Sequence, residues 1–347
     1  MSEMRQQSPE QLDVRPARAE DREAALAFCA HTWSGGDYIE DVWEEWLHDE
    51  RGAFLVAVLQ DRPIGVVHVA LFSDDEAWLE GIRVAPAQRR RGVGRVLVSR
   101  ALVAARERGA KVARLFTDHD NIASQGLITG FGFKRVAEVI HYEAPALALD
   151  DNGAEDTASE LASTDVEKTS EVERTDPRVE REDDAPPPAN GMAPGEGADE
   201  LRLTIAGAED FERIWSWLEH SNLAPFNGGL EFIGWHARAV TEPGLRAYLD
   251  AGEVYLLEEW DTIQSLAVAV PQPTEDDAPA RLEVRYLDGA ADWISRLALV
   301  LREIAAEDES SRVALWLPDL LILRDAMNGA GYTQPYEGAL WVYARTL

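Results

Sequence analysis

A single cysteine, Cys29, stands among the 347 residues, so the chain forms no internal disulfide and holds no cysteine-based zinc site. It also has no run of about 18 apolar residues, the length a bilayer-spanning helix needs. A membrane-embedded plan is excluded, and no membrane partner is expected. The opening MSEMRQQSPEQLDVRPA has no basic segment leading into an apolar stretch, and a secretory signal is not expected. Lysine is nearly missing: Lys111, Lys134 and Lys168 occur, and every other residue of the Lys+Arg total is Arg. The 7 histidines follow neither H-E-x-x-H nor a comparable ligand spacing, so no metal is expected.

What the chain has in excess is acid. Its 33 basic and 64 acidic residues leave a net charge of −31, which excludes general nucleic-acid binding, since that needs a basic footprint. Dense carboxylates with little lysine read as a halophilic, cytoplasmic protein, kept hydrated where molar salt shortens screening to about 3 Å. A GC-rich genome with an acidic linker would leave a similar balance. Apolar residues make up 46%, enough for cores, and at roughly 100–200 residues per domain the length predicts two domains.

The acids gather in one place. Residues 150–200 hold almost no large apolar side chain, a Pro triplet and several glycines, and such a stretch cannot offset its ordering entropy by burial. It reads as a disordered acidic linker. The flanks repeat each other in order: LDVRPARAED from Leu12 answers LRLTIAGAED from Leu201, and WSGGD from Trp33 answers FNGGL from Phe226. Near the ends, VARLFTD from Val112 followed by GFGF answers VALWLPD from Val313 followed by GAGY. Two copies of one fold, 1–149 and 201–347, are the simplest account. Within the first copy, strands are expected at 12–15, 54–59, 64–71, 77–84, 112–117 and 134–142. Helices are expected at 21–32, around Val42 to Leu47, at 92–108 and at 122–129. The fold class is therefore α/β, a mixed sheet flanked by helices.

The informative stretch is GIRVAPAQRRRGVGRVL, Gly81 to Leu97. A strand ends at Val84, Pro86 fixes the exit, and Arg89, Arg90, Arg91, Gly92, Val93, Gly94 and Arg95 turn into a helix. Gly92 and Gly94 lack Cβ and let main-chain N–H groups approach a phosphate, to which the helix N-terminus and the arginines add positive charge. A nucleotide P-loop would need Lys and Ser or Thr where Arg95 and Val96 stand, and a dinucleotide fingerprint would need Gly or Ala at Leu97. A glycine-containing helix start with solvated arginines is the plainest alternative.

The strand-P-x-x-R-x-x-G-x-G-helix pattern, with Val84, Pro86, Arg89, Gly92 and Gly94 in register, resembles the pyrophosphate loop of the GNAT family of acetyl-CoA-dependent N-acetyltransferases. A second block, NIASQGLITGFGF from Asn121, resembles that family's N-x-A-x-x-L-Y-x-x-x-G-F segment. The resemblance implies two tandem acyl-CoA N-acyltransferase-like domains. It implies acetyl-CoA as co-substrate, with Asn121 and Ser124 near its pantetheine end and Ile82, Arg83 and Val84 offering main-chain contacts where two central strands splay. A helix N-cap is the other reading of Asn121. Where many members carry a leaving-group Tyr this chain has Ile128, which leaves Tyr142, His141, Tyr38, His119 or water as proton donor. Glu80 falls where the family often places a general base; an exposed or substrate-anchoring carboxylate is its alternative.

For the acceptor, Trp33, Asp37 and Tyr38 would form an aromatic-walled loop with one acid, suited to a cationic or zwitterionic amine, with His119 at a strand end nearby. The run GGDYIEDVWEEWL followed by LEGIRVAP resembles the histidine N-acetyltransferase-like branch of the family, which makes a free amino acid a conceivable acceptor. Cys29, in mid-helix, reads as a small buried hydrophobe rather than a nucleophile. The second copy has no R-x-x-G-x-G, and Asp288 and Asp292 bring the wrong sign to a pyrophosphate position. It is expected to be degenerate and architectural, pairing with the first copy in a monomer or a homodimer and walling the acceptor cleft. The function expected is acetyl transfer to a primary amine of a small molecule or amino acid. A non-catalytic acyl-CoA-binding sensor or assembly module, or a protein N-acetyltransferase, is the alternative.

Overall fold

The computed structural model describes residues 12–30, 32, 36–147, 201–274 and 279–347. The expected linker, 150–200, and the predicted acceptor residue Trp33 lie outside the described residues. In the first half the elements are β1 (Leu12–Pro16), α1 (Arg22–Cys29), α2 (Ile39–Leu47), β2 (Ala53–Leu59), β3 (Arg62–Leu71), β4 (Glu76–Val84), α3 (Val93–Glu107), β5 (Val112–Asp118), α4 (Ile122–Thr129) and β6 (Lys134–Pro145). They follow the expected order closely. β2 and β3 read as nearly unbroken apolar runs because both their faces are covered. On one face Leu97, Val98, Ala101 and Ala105 of α3 pack against Leu55, Val67 and Leu79. On the other, Ile39, Trp43 and Trp46, at helical spacing on α2, pack with Cys29 against Phe54, Val56 and Val66.

The second half repeats the plan: β7 (Arg202–Ile205), α5 (Phe211–Glu219), α6 (Ala224–Asn227), β8 (Leu230–Ile233), β9 (His236–Ala239), α7 (Glu242–Ala251), β10 (Val254–Glu259), β11 (Thr262–Gln272), β12 (Arg281–Gly289), α8 (Ala291–Glu307), β13 (Arg312–Pro318), α9 (Leu321–Gly329) and β14 (Leu340–Thr346). β8 and β9 form a separate hairpin, and none of the described helices is long and apolar enough to cross a membrane.

The halves do not close separately. All the other strands form one 12-stranded sheet in the order β1-β2-β3-β4-β5-β14-β6-β13-β12-β11-β10-β7. β14, the last strand of the second half, inserts between β5 and β6, pairing Val342 with Phe116 on one side and Ala137 on the other. β6, the last strand of the first half, in turn pairs with β13, Tyr142 opposite Leu315. Each half thus lends its final strand to the other, and the mixed sheet flanked by helices is continuous across them. Val342 lies at the centre of this exchange, fully buried with Trp78, Val139, Phe232 and Trp316. Val342→Asp places an unpaired carboxylate there and is expected to cost about 4 kcal/mol, with both halves melting in one lowered transition. A thermal scan that kept a second transition at the wild-type temperature would show instead that the halves are stable independently.

Candidate active site

The bend after β4 is shaped as an open cradle of main-chain donors. A 3-10 turn, Pro86–Gln88, carries the chain off the strand, Arg90 adopts φ +61°, and Gly92 caps α3 at φ +88°. A Cβ on Gly92 would point into open space, whereas one on Gly94 would come within 3.2 Å of Leu127. Gly92 therefore serves the left-handed turn, and Gly94 serves the close approach of α3 to α4. The first helical N–H to find a carbonyl is that of Val96, on Gly92 at 3.1 Å. Among the described residues, no acceptor serves the main-chain N–H groups of residues 90–95. Unpaired N–H groups at a helix N-terminus, beside exposed Arg89, Arg90, Arg91 and Arg95, are what a diphosphate needs. Arg89 Nε is anchored on Val84 O at 3.2 Å, and Val93 is buried beneath the bend.

Next to the cradle the sheet opens. β4 and β5 pair in parallel only at Glu76, Ala77 and Trp78, so from Leu79 onward β4 has no ladder partner on its β5 side. On its other side the register with β3 slips between Arg83 and Glu80, a bulge at Gly81 and Ile82. Gly81 has φ +60°, and a Cβ there would lie 2.5 Å from Trp46. The bulge re-aims the strand end at the mouth of the wedge, where Ile82 O accepts from Arg83 Nη1 at 3.3 Å and Val84 O from Arg89 Nε.

Glu80 occupies the face of β4 opposite α3, and it is not alone. His68 on β3 donates from Nδ1 to Glu80 Oε1 at 2.8 Å, and His236 on β9 donates from Nε2 to Glu80 Oε2 at 3.0 Å. The far nitrogen of His68, Nε2, faces Asp49 Oδ2 at 3.1 Å. The result is a chain of alternating acids and imidazoles, Asp49, His68, Glu80, His236, whose last member comes from the second half. Trp46 stacks on His68 at 4.6 Å, while Phe72 and Trp78 hold His236. Burial alone would raise the Glu80 carboxyl, but the hydrogen bonds and charges of His236 and His68 outweigh it and bring the group down to about 2.

The other expected residues are distributed as follows. Asp37 is not a free acid for an amine: its buried carboxylate pairs with Arg83, Nε to Oδ2 at 2.6 Å, and also caps the start of α2. Tyr38 remains at the mouth, 39% exposed, against Trp46 and beneath the Arg83 guanidinium. Tyr142 does not reach the Glu80 cluster. Because β6 is exchanged, its ring is buried in the second half's core with Val313 and Leu315, and burial pushes its hydroxyl up to about 12. His119 is exposed beside Gly338 of the second half, its N–H on Ala339 O. Asn121 caps α4 by accepting from Ser124 N at 3.0 Å, while Ile128 is fully buried. Cys29 is buried, and desolvation pushes its thiol up to about 12. In the second half β12 turns into α8 with no intervening loop. Asp288 is buried there, holding Tyr286 Oη at 2.7 Å and Gly289 N at 2.7 Å.

Asp49, His68 and His236 went unnoticed in the sequence. His68 leaves one signal, a lone imidazole inside the apolar run of β3. His236 leaves none, because its partner is 156 positions away.

Residues 20–133 match the model of the acetyltransferase (GNAT) family. The aminoglycoside N(6')-acetyltransferase type 1 of Klebsiella aerogenes is 32% identical over 145 residues, 38% of this chain and 95% of that protein. The histidine N-acetyltransferase of Oreochromis niloticus is 33% identical over 110 residues, 31% of this chain and 33% of that protein, so the chain spans about a third of that relative. A solved GCN5-related N-acetyltransferase from Sphaerobacter thermophilus shares the fold over 97% of this chain and 96% of its own, with a TM-score of 0.54 at 12% identity.

Since Glu80 titrates near 2 in the folded chain against an ordinary 4.5, its contribution is complete above 4.5 and is lost as pH falls towards 2. Glu80→Gln is expected to cost about 2–3 kcal/mol at pH 7. The gap to wild type should close between pH 4.5 and about 2. Urea unfolding across that range measures it, and a pH-independent gap would contradict the assignment.

Proposed function

This chain belongs to the acetyltransferase (GNAT) family, and on that footing we propose that it transfers acetyl from acetyl-CoA to a primary amine of a small polar molecule. The observation that carries the reading is the bend of residues 90–95, whose N–H groups have no acceptor among the described residues and lie beside exposed arginines. Those groups, with Arg89, Arg90, Arg91 and Arg95, would hold the pyrophosphate of acetyl-CoA. The co-substrate supplies an activated acyl group. Main-chain groups at Ile82, Arg83 and Val84 would orient its thioester in the wedge between β4 and β5, and Asn121 and Ser124 lie at the start of the helix flanking it. Tyr38 at the mouth and the histidine-bound carboxylate of Glu80 would face the acceptor. The acceptors named for the two relatives, histidine and aminoglycosides, favour a free amino acid or another polar amine over a protein. Because of the acidic composition, the working environment is taken to be a saline cytoplasm.

A second reading is kept alive by Ile128. An aliphatic, fully buried side chain stands where an acid for the leaving thiolate would be, as suits a module that binds acyl-CoA without turning it over. Thiol release from acetyl-CoA in high salt, followed against a panel of free amino acids and amino sugars, separates the two. Turnover on any acceptor supports transfer, and binding without turnover supports the sensor. Gly92→Asp sets a carboxylate at the cradle and is expected to weaken acetyl-CoA binding at least about 100-fold, leaving the melting transition within a few degrees. An unchanged titration would remove the bend from the site.

A further inference from the structure

We propose that the second half is part of the catalytic apparatus: His236, on its β8–β9 hairpin, takes the proton from the attacking amine, and Glu80 is the residue that positions it. This rests on the acetyl-transfer reading above and assigns the proton acceptor of that same site.

Within the cluster only one member is chemically available. Both oxygens of Glu80 already receive hydrogen bonds, one from each histidine, and a carboxylate so satisfied is a poor base near neutral pH. His68 is 3% exposed, lies beneath Trp46, and has both ring nitrogens on carboxylates. Asp49 accepts the Arg51 and Gly52 N–H groups on Oδ1, at 3.0 and 2.9 Å, and faces His68 with Oδ2. His236 differs: its side chain is 27% exposed, and among the described residues its Nδ1 has no hydrogen-bond partner. Because Nε2 donates to an ionised carboxylate, Nδ1 carries the basic lone pair. The imidazolium formed on protonation is then held against Glu80 at 3.0 Å, the arrangement by which a buried carboxylate supports a histidine base.

The ring is held firmly enough for this task. Phe72 and Trp78 of the first half flank it with ring centres 4.4 and 5.6 Å away. The hairpin is fixed to both halves: Ala239 N donates to Glu76 Oε2 at 3.1 Å, and Gly234 N donates to Glu283 Oε1 at 2.7 Å. Trp316 Nε1 donates to Gly234 O at 2.9 Å. His236 stands beside Trp78, the last β4 residue paired with β5, and Glu80 is the last residue before the bulge. In the reaction the amine nitrogen bonds to the acetyl carbon as the carbon–sulfur bond breaks and its electron pair stays on sulfur. The proton leaves nitrogen for His236 Nδ1, and solvent returns a proton to the thiolate.

The test compares the full chain with His236→Gln and His236→Ala, using the amine from the panel that wild type acetylates fastest. Expected is a fall in kcat of about 10²–10³, with acetyl-CoA affinity within about twofold of wild type. Imidazole in the buffer should restore part of the turnover of His236→Ala, and an amine already neutral at the assay pH should lose least. Undiminished kcat in His236→Gln overturns the proposal. So does an equal loss for all amines with no response to imidazole, which identifies a purely structural residue. A wild type that binds acetyl-CoA but acetylates no amine fails at the transfer reading itself, an outcome distinct from an active wild type that tolerates the substitutions.

Discussion

Everything at this site depends on the exchange of final strands. A sheet edge is a row of unmet donors and acceptors, and the usual remedies are to shorten it, charge it or cover it. Here the edge beside β5 is filled by β14 and the edge beside β13 by β6, so each half removes the other's edge. The consequence extends beyond stability. With β14 and β6 interleaved, the faces of the two half-sheets become one surface, and a hairpin belonging to the second half can lie across it. A looser junction would let that hairpin move against β4, and a hydrogen bond between His236 and Glu80 could not be kept.

Burying a carboxylate is costly unless it is matched in hydrogen bonds and charge, and Glu80 meets this differently from the other buried acids. In the first half Glu80 is matched by two histidines, one with a nitrogen left open to the outside. Elsewhere the buried acids have all their partners inside the protein: Asp21 binds Arg15 and the Arg18 N–H, Glu231 binds Arg238 and Tyr248, and Asp288, held by Ser221, Tyr286 and the Gly289 N–H, has its carboxyl raised by burial. Fully matched groups rigidify a fold and do little else. The open nitrogen of His236 sets the Glu80 cluster apart from these.

Local features of the site could be read from the residues. Gly92 and Gly94 are separated by one position because one must turn left-handed and the other must admit Leu127, and that spacing is visible in one dimension. The paired apolar runs and the N-cap at Asn121 are equally local. What stayed hidden depends on register and topology. Asp37 reads as an available acid until Arg83, 46 positions on, is seen to occupy it. Tyr142 sits on the strand expected to close the first half, and only the exchange with β13 turns its ring into the other core. His236 follows from no pattern, since nothing near it in the chain predicts Glu80 as its partner.

The second half keeps the same strand-to-helix order with no long turn between the two. The cradle requires an interval between strand and helix in which amides remain unpaired, and such an interval stabilises nothing until an anion arrives. Between β12 and α8 that interval is gone: β12 ends at Gly289 and α8 begins at Ala291, and Asp288 fills the turn with a carboxylate held by its neighbours. The surrounding ladders must persist regardless, because β6 of the other half pairs with β13. The second half's ladders are thus constrained by its neighbour's needs, while the turn from β12 into α8 lies outside the strands shared with the first half.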